Sequence, residues 1–141
     1  MGVMSAETLL EVRMRAEPAG LKSLRSLVEA AAIKAGCEKD VASQIVIAVN
    51  EACMNVIQHA FRGEASGEMV IRVSAHAAVL VCRIEDSAPL VDLDAIRPRP
   101  LDDIRPGGLG THFMAELMDE CHYGHLESRD GNYVEMTKKI R

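Results

Sequence analysis

Three groups of residues in this chain have types and spacings that suit chemistry, and each alone also fits an ordinary structural role. Glu51, Asn55 and His59 recur at i, i+4 and i+8 with small Ala48 nearby, so on a helix a carboxylate and a carboxamide stack in one direction. Their oxygens suit a hard cation such as Mg²⁺ and its waters. A solvated helix edge uses the same residues. The run Arg105-Pro106-Gly107-Gly108-Leu109-Gly110 leads straight into a helical pattern from Thr111, so backbone N–H groups and the positive helix end can approach a phosphate. A glycine hinge has the same composition, and neither a Walker loop nor a dinucleotide fingerprint fits the spacing. Asp86 closes a Val- and Ile-rich segment just before a proline-rich stretch. An ionised carboxylate there can accept the exocyclic amine of a purine, and a strand-end Asp is also a common turn former.

Other residues carry less. Cys121, His122 and His125 are the only tempting zinc set, but His122 and His125 stand three apart on an expected strand and point to opposite faces. His59, at a helix C-terminus, suits the helix dipole better than a reaction. The four cysteines, Cys37, Cys53, Cys82 and Cys121, show no metal spacing and sit among apolar or small residues, which predicts reduced core thiols of a cytoplasmic protein. Met14, Met54, Met69, Met114, Met118 and Met136 read as core fillers.

The elements that must position these groups follow from hydrophobic period. Leu10, Val12, Met14 and Ala16 alternate with Glu11, Arg13 and Arg15, which predicts a strand over residues 8–16. Glu17-Pro18-Ala19 opens a first helix, carried by Leu21, Leu24, Leu27, Val28, Ala31 and Ala32 and stopped by Gly36. A second and longest helix is expected from Lys39-Asp40, with Asp40 as cap, to about Phe61, with Arg62-Gly63 as its exit. Turned at about 100° per residue, it places Val41, Ile45, Val49, Ala52, Val56 and Ala60 on a core face and Glu51, Asn55 and His59 along one border.

Residues 68–75 and 78–86 read as an antiparallel hairpin joined at His76-Ala77. Periodicity is lost from Ser87 to Gly110, where four of the five prolines and three of the ten glycines fall. A long irregular loop in a compact domain is more often functional than not. A short helix over 111–119 and two closing strands, 120–126 and 133–140, complete the chain, with a turn at Arg129-Asp130-Gly131-Asn132. The predicted class is an α/β (α+β) two-layer sandwich, a mixed and mainly antiparallel sheet with helices on one face.

Composition bounds the function. With 141 residues, 48% hydrophobic and 26% charged, the chain is one folded domain of ordinary size, not a disordered one. A net charge of −5, no basic block, and only Phe61, Phe113, Tyr123 and Tyr133 as aromatics argue against direct nucleic-acid binding. No apolar run of membrane-spanning length and no signal peptide are read, and Ala6 stands where a myristoylation pattern needs Ser or Thr.

Taken in order, the three groups resemble a known family. Glu51-Ala52-Cys53-Met54-Asn55 with His59-Ala60 resembles the N box of the GHKL-type ATPases, the superfamily shared by histidine kinases, gyrase, Hsp90 and MutL. Glu85-Asp86-Ser87-Ala88-Pro89 resembles its adenine-binding G1 box, and Gly107-Gly108-Leu109-Gly110-Thr111-His112-Phe113-Met114 with Leu117-Met118-Asp119-Glu120 its G2 box and helix. With a closing Gly-x-x-Val strand, the chain is most similar to the anti-sigma factor serine/threonine kinases of bacterial partner-switching systems.

That resemblance implies a Bergerat-type ATP-binding fold over residues 1–141, with a lid loop at about 87–110. It implies that Asn55 holds Mg²⁺ on the ATP phosphates and that Glu51 is the base or water organiser. Asp86, beside Ala88, would bond the adenine amine. Gly107, Gly108, Leu109, Gly110 and Thr111 would form the lid hinge and phosphate contacts, and Arg105 is the first lid cation to consider. The family's G1 box usually reads Asp-x-Gly, so Ala88 adds a methyl group where the backbone lies close under the purine. The implied protein is a cytoplasmic homodimer that sequesters a sigma factor and phosphorylates a STAS-domain anti-anti-sigma protein; its N-terminal strand and first helix can present an apolar surface to a second copy, and the sequence leaves open which face is free. The other reading is a non-catalytic binding module of the same fold, with ATP affinity lost through Ala88.

Overall fold

The structure is a computed structural model and describes residues 7–60, 67–89, 114–127 and 129–140. The chain runs β1 (Glu7–Arg15), a 3-10 turn (Pro18–Gly20), α1 (Leu21–Lys34), α2 (Lys39–Asn55), a π-helical turn (Val56–Ala60), β2 (Glu68–His76), β3 (Val79–Asp86), β4 (Glu120–His125) and β5 (Asn132–Lys139). Residues 114–117 are also helical. The five strands form one sheet in the order β1-β2-β3-β5-β4, and every pairing is antiparallel. This is the α/β arrangement read from the sequence, with the mainly antiparallel sheet antiparallel throughout.

Period two explains which face of the sheet is covered. Leu80, Cys82, Ile84 and Asp86 of β3 alternate as buried residues, and in register beside them stand Met69, Ile71 and Val73 of β2 and Asn132, Val134 and Met136 of β5. These rows meet Val28, Ala32, Ile45, Val49, Ala52 and Cys53 of the two helices in one core. Each large apolar side chain removed from water contributes about 1.5–3 kcal/mol, so this layer dominates the fold's stability. The thiols of Cys53 and Cys82 lie inside it, and burial pushes both up to about 12.

The opposite face is polar. Glu11, Arg72, Arg83, Glu135 and His122 fall on one cross-strand row through the direct partners of all five strands. Arg72 Nε donates to Glu11 at 2.7 Å, while Arg83 donates to Glu85 and Glu135 at 2.8 Å each and lies 4.0 Å from the Tyr133 ring centroid. These half-exposed pairs hold register more than they hold the fold together.

The helix ends show which local signals act. Gly36 adopts φ 103° after α1; its N–H bonds Ile33 O and the Cys37 N–H bonds Ala32 O, the paired bonds of a Schellman stop. At the start of α2 the expected cap is displaced. Glu38 occupies the cap position without a side-chain bond, and Asp40 lies inside the first turn, where it acts on the helix dipole only. The α-helix also ends earlier than expected, at Asn55, and continues as the π-turn. The stretch Lys39–Gln58 is long and apolar enough to cross a membrane by length and composition, but it contributes the core residues just named.

Candidate functional site

The second helix presents its candidate residues along an edge. Ala42, Ile45, Ala48, Val49, Ala52 and Cys53 are buried, while Glu51 and Asn55 are half-buried at the border of that stripe. The other border carries Asn50, whose Oδ1 accepts from Arg25 Nη1 at 3.0 Å. Helical geometry therefore sets Glu51 and Asn55 on the side of α2 away from α1. Asn55 is also the last α-helical residue before the π-turn, a widening often found at functional sites. Two side-chain oxygens one turn apart at such an edge fit a Mg²⁺ ion that keeps most of its waters.

Asp86 is placed differently. It ends β3 with its side chain on the helix-covered face, only 4% exposed, at the end of an otherwise apolar row. Its Oδ1 accepts the Ala88 N–H at 2.9 Å and Asn132 Nδ2 at 3.0 Å. Burial pushes the carboxyl above the usual carboxylate range. Hydrogen bonds from the Asn132 side chain and from the Ala88 and Asn132 backbone, with the Arg129 charge, pull it back. Ala88 is fully buried and lies outside the positive-φ region, so its methyl group strains no backbone. The Asp86-Ser87-Ala88 segment thus forms a turn in which the Ala88 N–H holds the Asp86 carboxylate.

The remaining expected residues, Arg105, Gly107, Gly108, Leu109, Gly110 and Thr111, lie outside the described residues, as does most of the 87–110 lid. The weaker candidates have other partners. His122 faces Glu120 at 3.3 Å on the open face, and the Cys121 thiol points to Met114 O at 3.6 Å.

Two residues of the site escaped the sequence reading. Asn132 reads from the sequence as part of a turn, yet it opens β5 as the direct partner of Asp86. Gly131 adopts φ 147°, and a Cβ there would collide with the Asp86 carbonyl oxygen. The only sequence signal for either was the closing Gly-x-x-Val pattern.

A helix edge carrying Glu51 and Asn55 and a buried carboxylate at the end of the central hairpin are thus both present on this chain. Residues 14–138 match the histidine kinase-like ATPase domain, and the chain belongs to that family. Within it, the chain belongs with the RsbW serine-protein kinases. It is 31% identical over 139 residues to serine-protein kinase RsbW of Bacillus velezensis, covering 93% of this chain and 85% of that one. Serine-protein kinase RsbW of Listeria monocytogenes is 30% identical over 139 residues, 93% of this chain and 87% of the relative. The crystal structure of the RsbU and RsbW domains of Rv1364c from Mycobacterium tuberculosis shares the fold. Its TM-score is 0.65 at 13% identity, over 93% of this chain and 31% of that one.

Proposed function

We propose that this protein is an ATP-dependent serine protein kinase that also acts as an anti-sigma factor. It sequesters a sigma factor in the cytoplasm and phosphorylates a STAS-domain anti-anti-sigma protein. The observation that carries the reading is the buried Asp86, aimed by Ala88 and Asn132, on the same chain as the Glu51–Asn55 helix edge. The similarity to proteins named serine-protein kinase supports the reaction type.

In this reading Asp86 accepts a hydrogen bond from the exocyclic amine of adenine, and Asn55 would help hold Mg²⁺, which would supply charge neutralisation at the nucleotide phosphates when bound. Glu51, one helical turn before Asn55, accepts the proton of the attacking serine hydroxyl. Phosphoryl transfer asks mainly for positioning and charge neutralisation, so one base and a set of aimed donors suffice. Gly107, Gly108, Leu109, Gly110, Thr111 and Arg105 supply the phosphate contacts, within a single domain of 141 residues whose lid spans about 87–110. The protein works as a homodimer; edge strand β1 and the exposed Leu27 and Ile33 of α1 support that surface. The partners are proteins, with no direct contact to nucleic acid or membrane.

Incubation with Mg²⁺, labelled ATP and a cognate STAS-domain protein tests the proposal. A labelled serine on the partner, absent with Glu51→Ala, is the expected result; no transfer by the unmodified protein defeats it.

A further inference from the structure

Among the described residues, Asp86 and Asn132 are the two buried polar or charged side chains, and they bond each other. Their strands hold them in direct register, β3 against β5, so the contact is set by backbone pairing. The Asn132 amide nitrogen reaches Asp86 Oδ1 at 3.0 Å, Pro89 O at 3.1 Å and Ala88 O at 3.5 Å. All three neighbours are acceptors, which assigns the NH₂ end of the carboxamide to this side.

A carboxylate swings freely about its last torsion, because that rotation is broad and two-fold. Here two N–H groups, from the Asn132 side chain and the Ala88 backbone, both reach Oδ1 of Asp86. An ionised carboxylate offers about four acceptor positions, so among the described residues these two bonds leave acceptor capacity for a ligand. Gly131 makes the approach possible, since any Cβ at that position would strike the Asp86 carbonyl.

Resting on the nucleotide reading above, we infer that Asn132 is a positioning residue for purine recognition. Its carboxamide fixes the rotation of Asp86 and pins the loop backbone at Ala88 and Pro89, so that the remaining acceptor is held for the exocyclic amine of the base. Asn132 thereby sets the preference for a 6-amino purine over a 6-oxo purine. A 6-oxo group would turn a carbonyl oxygen toward that acceptor, and a buried polar site rejects such a mismatch strongly.

The test is calorimetric titration of the full chain with Mg²⁺-ADP and Mg²⁺-inosine diphosphate, with thermal melting alongside. The unmodified protein prefers ADP. Asn132→Leu, similar in volume but without donors, weakens ADP binding roughly tenfold to a hundredfold and brings the ADP-to-inosine-diphosphate ratio close to one. Asn132→Ser returns one donor and recovers part of that ratio. Overturning results are a folded Asn132→Leu with the original ratio, or an equal loss for both nucleotides, which would mark a purely structural role. If Asn132→Leu does not fold, a folded Asn132→Ser with an unchanged ratio overturns the inference. Failure of the unmodified protein to bind ADP would defeat the nucleotide reading itself. ADP binding abolished by Asp86→Asn but indifferent to Asn132 would defeat this inference alone.

Discussion

The two ends of the candidate site are built by different physics. At the purine end, Asp86 is 4% exposed and is bonded by a cross-strand neighbour and by its own turn. At the phosphate end, Glu51 and Asn55 stand half-buried on a helix border next to a π-turn. A base is planar and mostly apolar, and a sheet can recognise it with one fixed carboxylate. Phosphates and Mg²⁺ carry large hydration shells, and a partly solvated edge can take them up without stripping every water. On the proposed reading, recognition sits in the sheet and charge handling at the partly solvated helix edge.

If that division holds, the largest effect belongs to the wet end. Glu51→Ala should lower the phosphorylation rate of a STAS-domain partner by about a hundredfold to ten-thousandfold with the thermal midpoint nearly unchanged, as loss of a general base does. A comparable loss in both rate and stability would show that Glu51 is part of the fold.

Gly131→Ala should reverse that pattern. Its φ of 147° and the collision of a Cβ with the Asp86 carbonyl predict a loss of roughly 2–4 kcal/mol in chemical denaturation, together with nucleotide binding.

Asp86→Asn separates recognition from stability. Nucleotide affinity should fall about tenfold or more in calorimetry, the worth of one charge-assisted hydrogen bond. The melting temperature should hold or rise. Burial raises the Asp86 pKa in the folded state, so its contribution to stability is present at low pH and lost as pH rises through that raised value. Removing the charge removes that loss at neutral pH. For the same reason, ADP affinity of the unmodified protein should decline on acidification before ordinary surface carboxylates protonate, and Asp86→Asn should bind equally weakly at all those pH values.

The smallest effect lies away from both ends. Ala77 turns the β2–β3 hairpin at φ 53°, so Ala77→Gly should be stabilising by up to ~1 kcal/mol in thermal melting and silent in nucleotide binding.

Much of this was legible in local pattern. The alternation of Leu10, Val12 and Met14 with Glu11 and Arg13 marked β1, and Gly36 marked the end of α1, because those signals act between near neighbours. Asp86 was legible as a strand-end carboxylate. What escaped was long-range or depended on end geometry. Asn132 meets Asp86 across 46 residues, and only the strand register reveals that a turn-type residue is a buried donor. Asp40 carried the right chemistry for a cap but sat inside the first turn behind Glu38.

Calorimetry of the full chain with ADP, with and without Mg²⁺, tests most directly whether one nucleotide spans both ends. A single site per chain is expected, strengthened by Mg²⁺. Asn55→Ala should abolish the Mg²⁺ enhancement while Asp86→Asn weakens binding with and without the metal. No heat of binding, or a Mg²⁺ enhancement indifferent to Asn55, would contradict it.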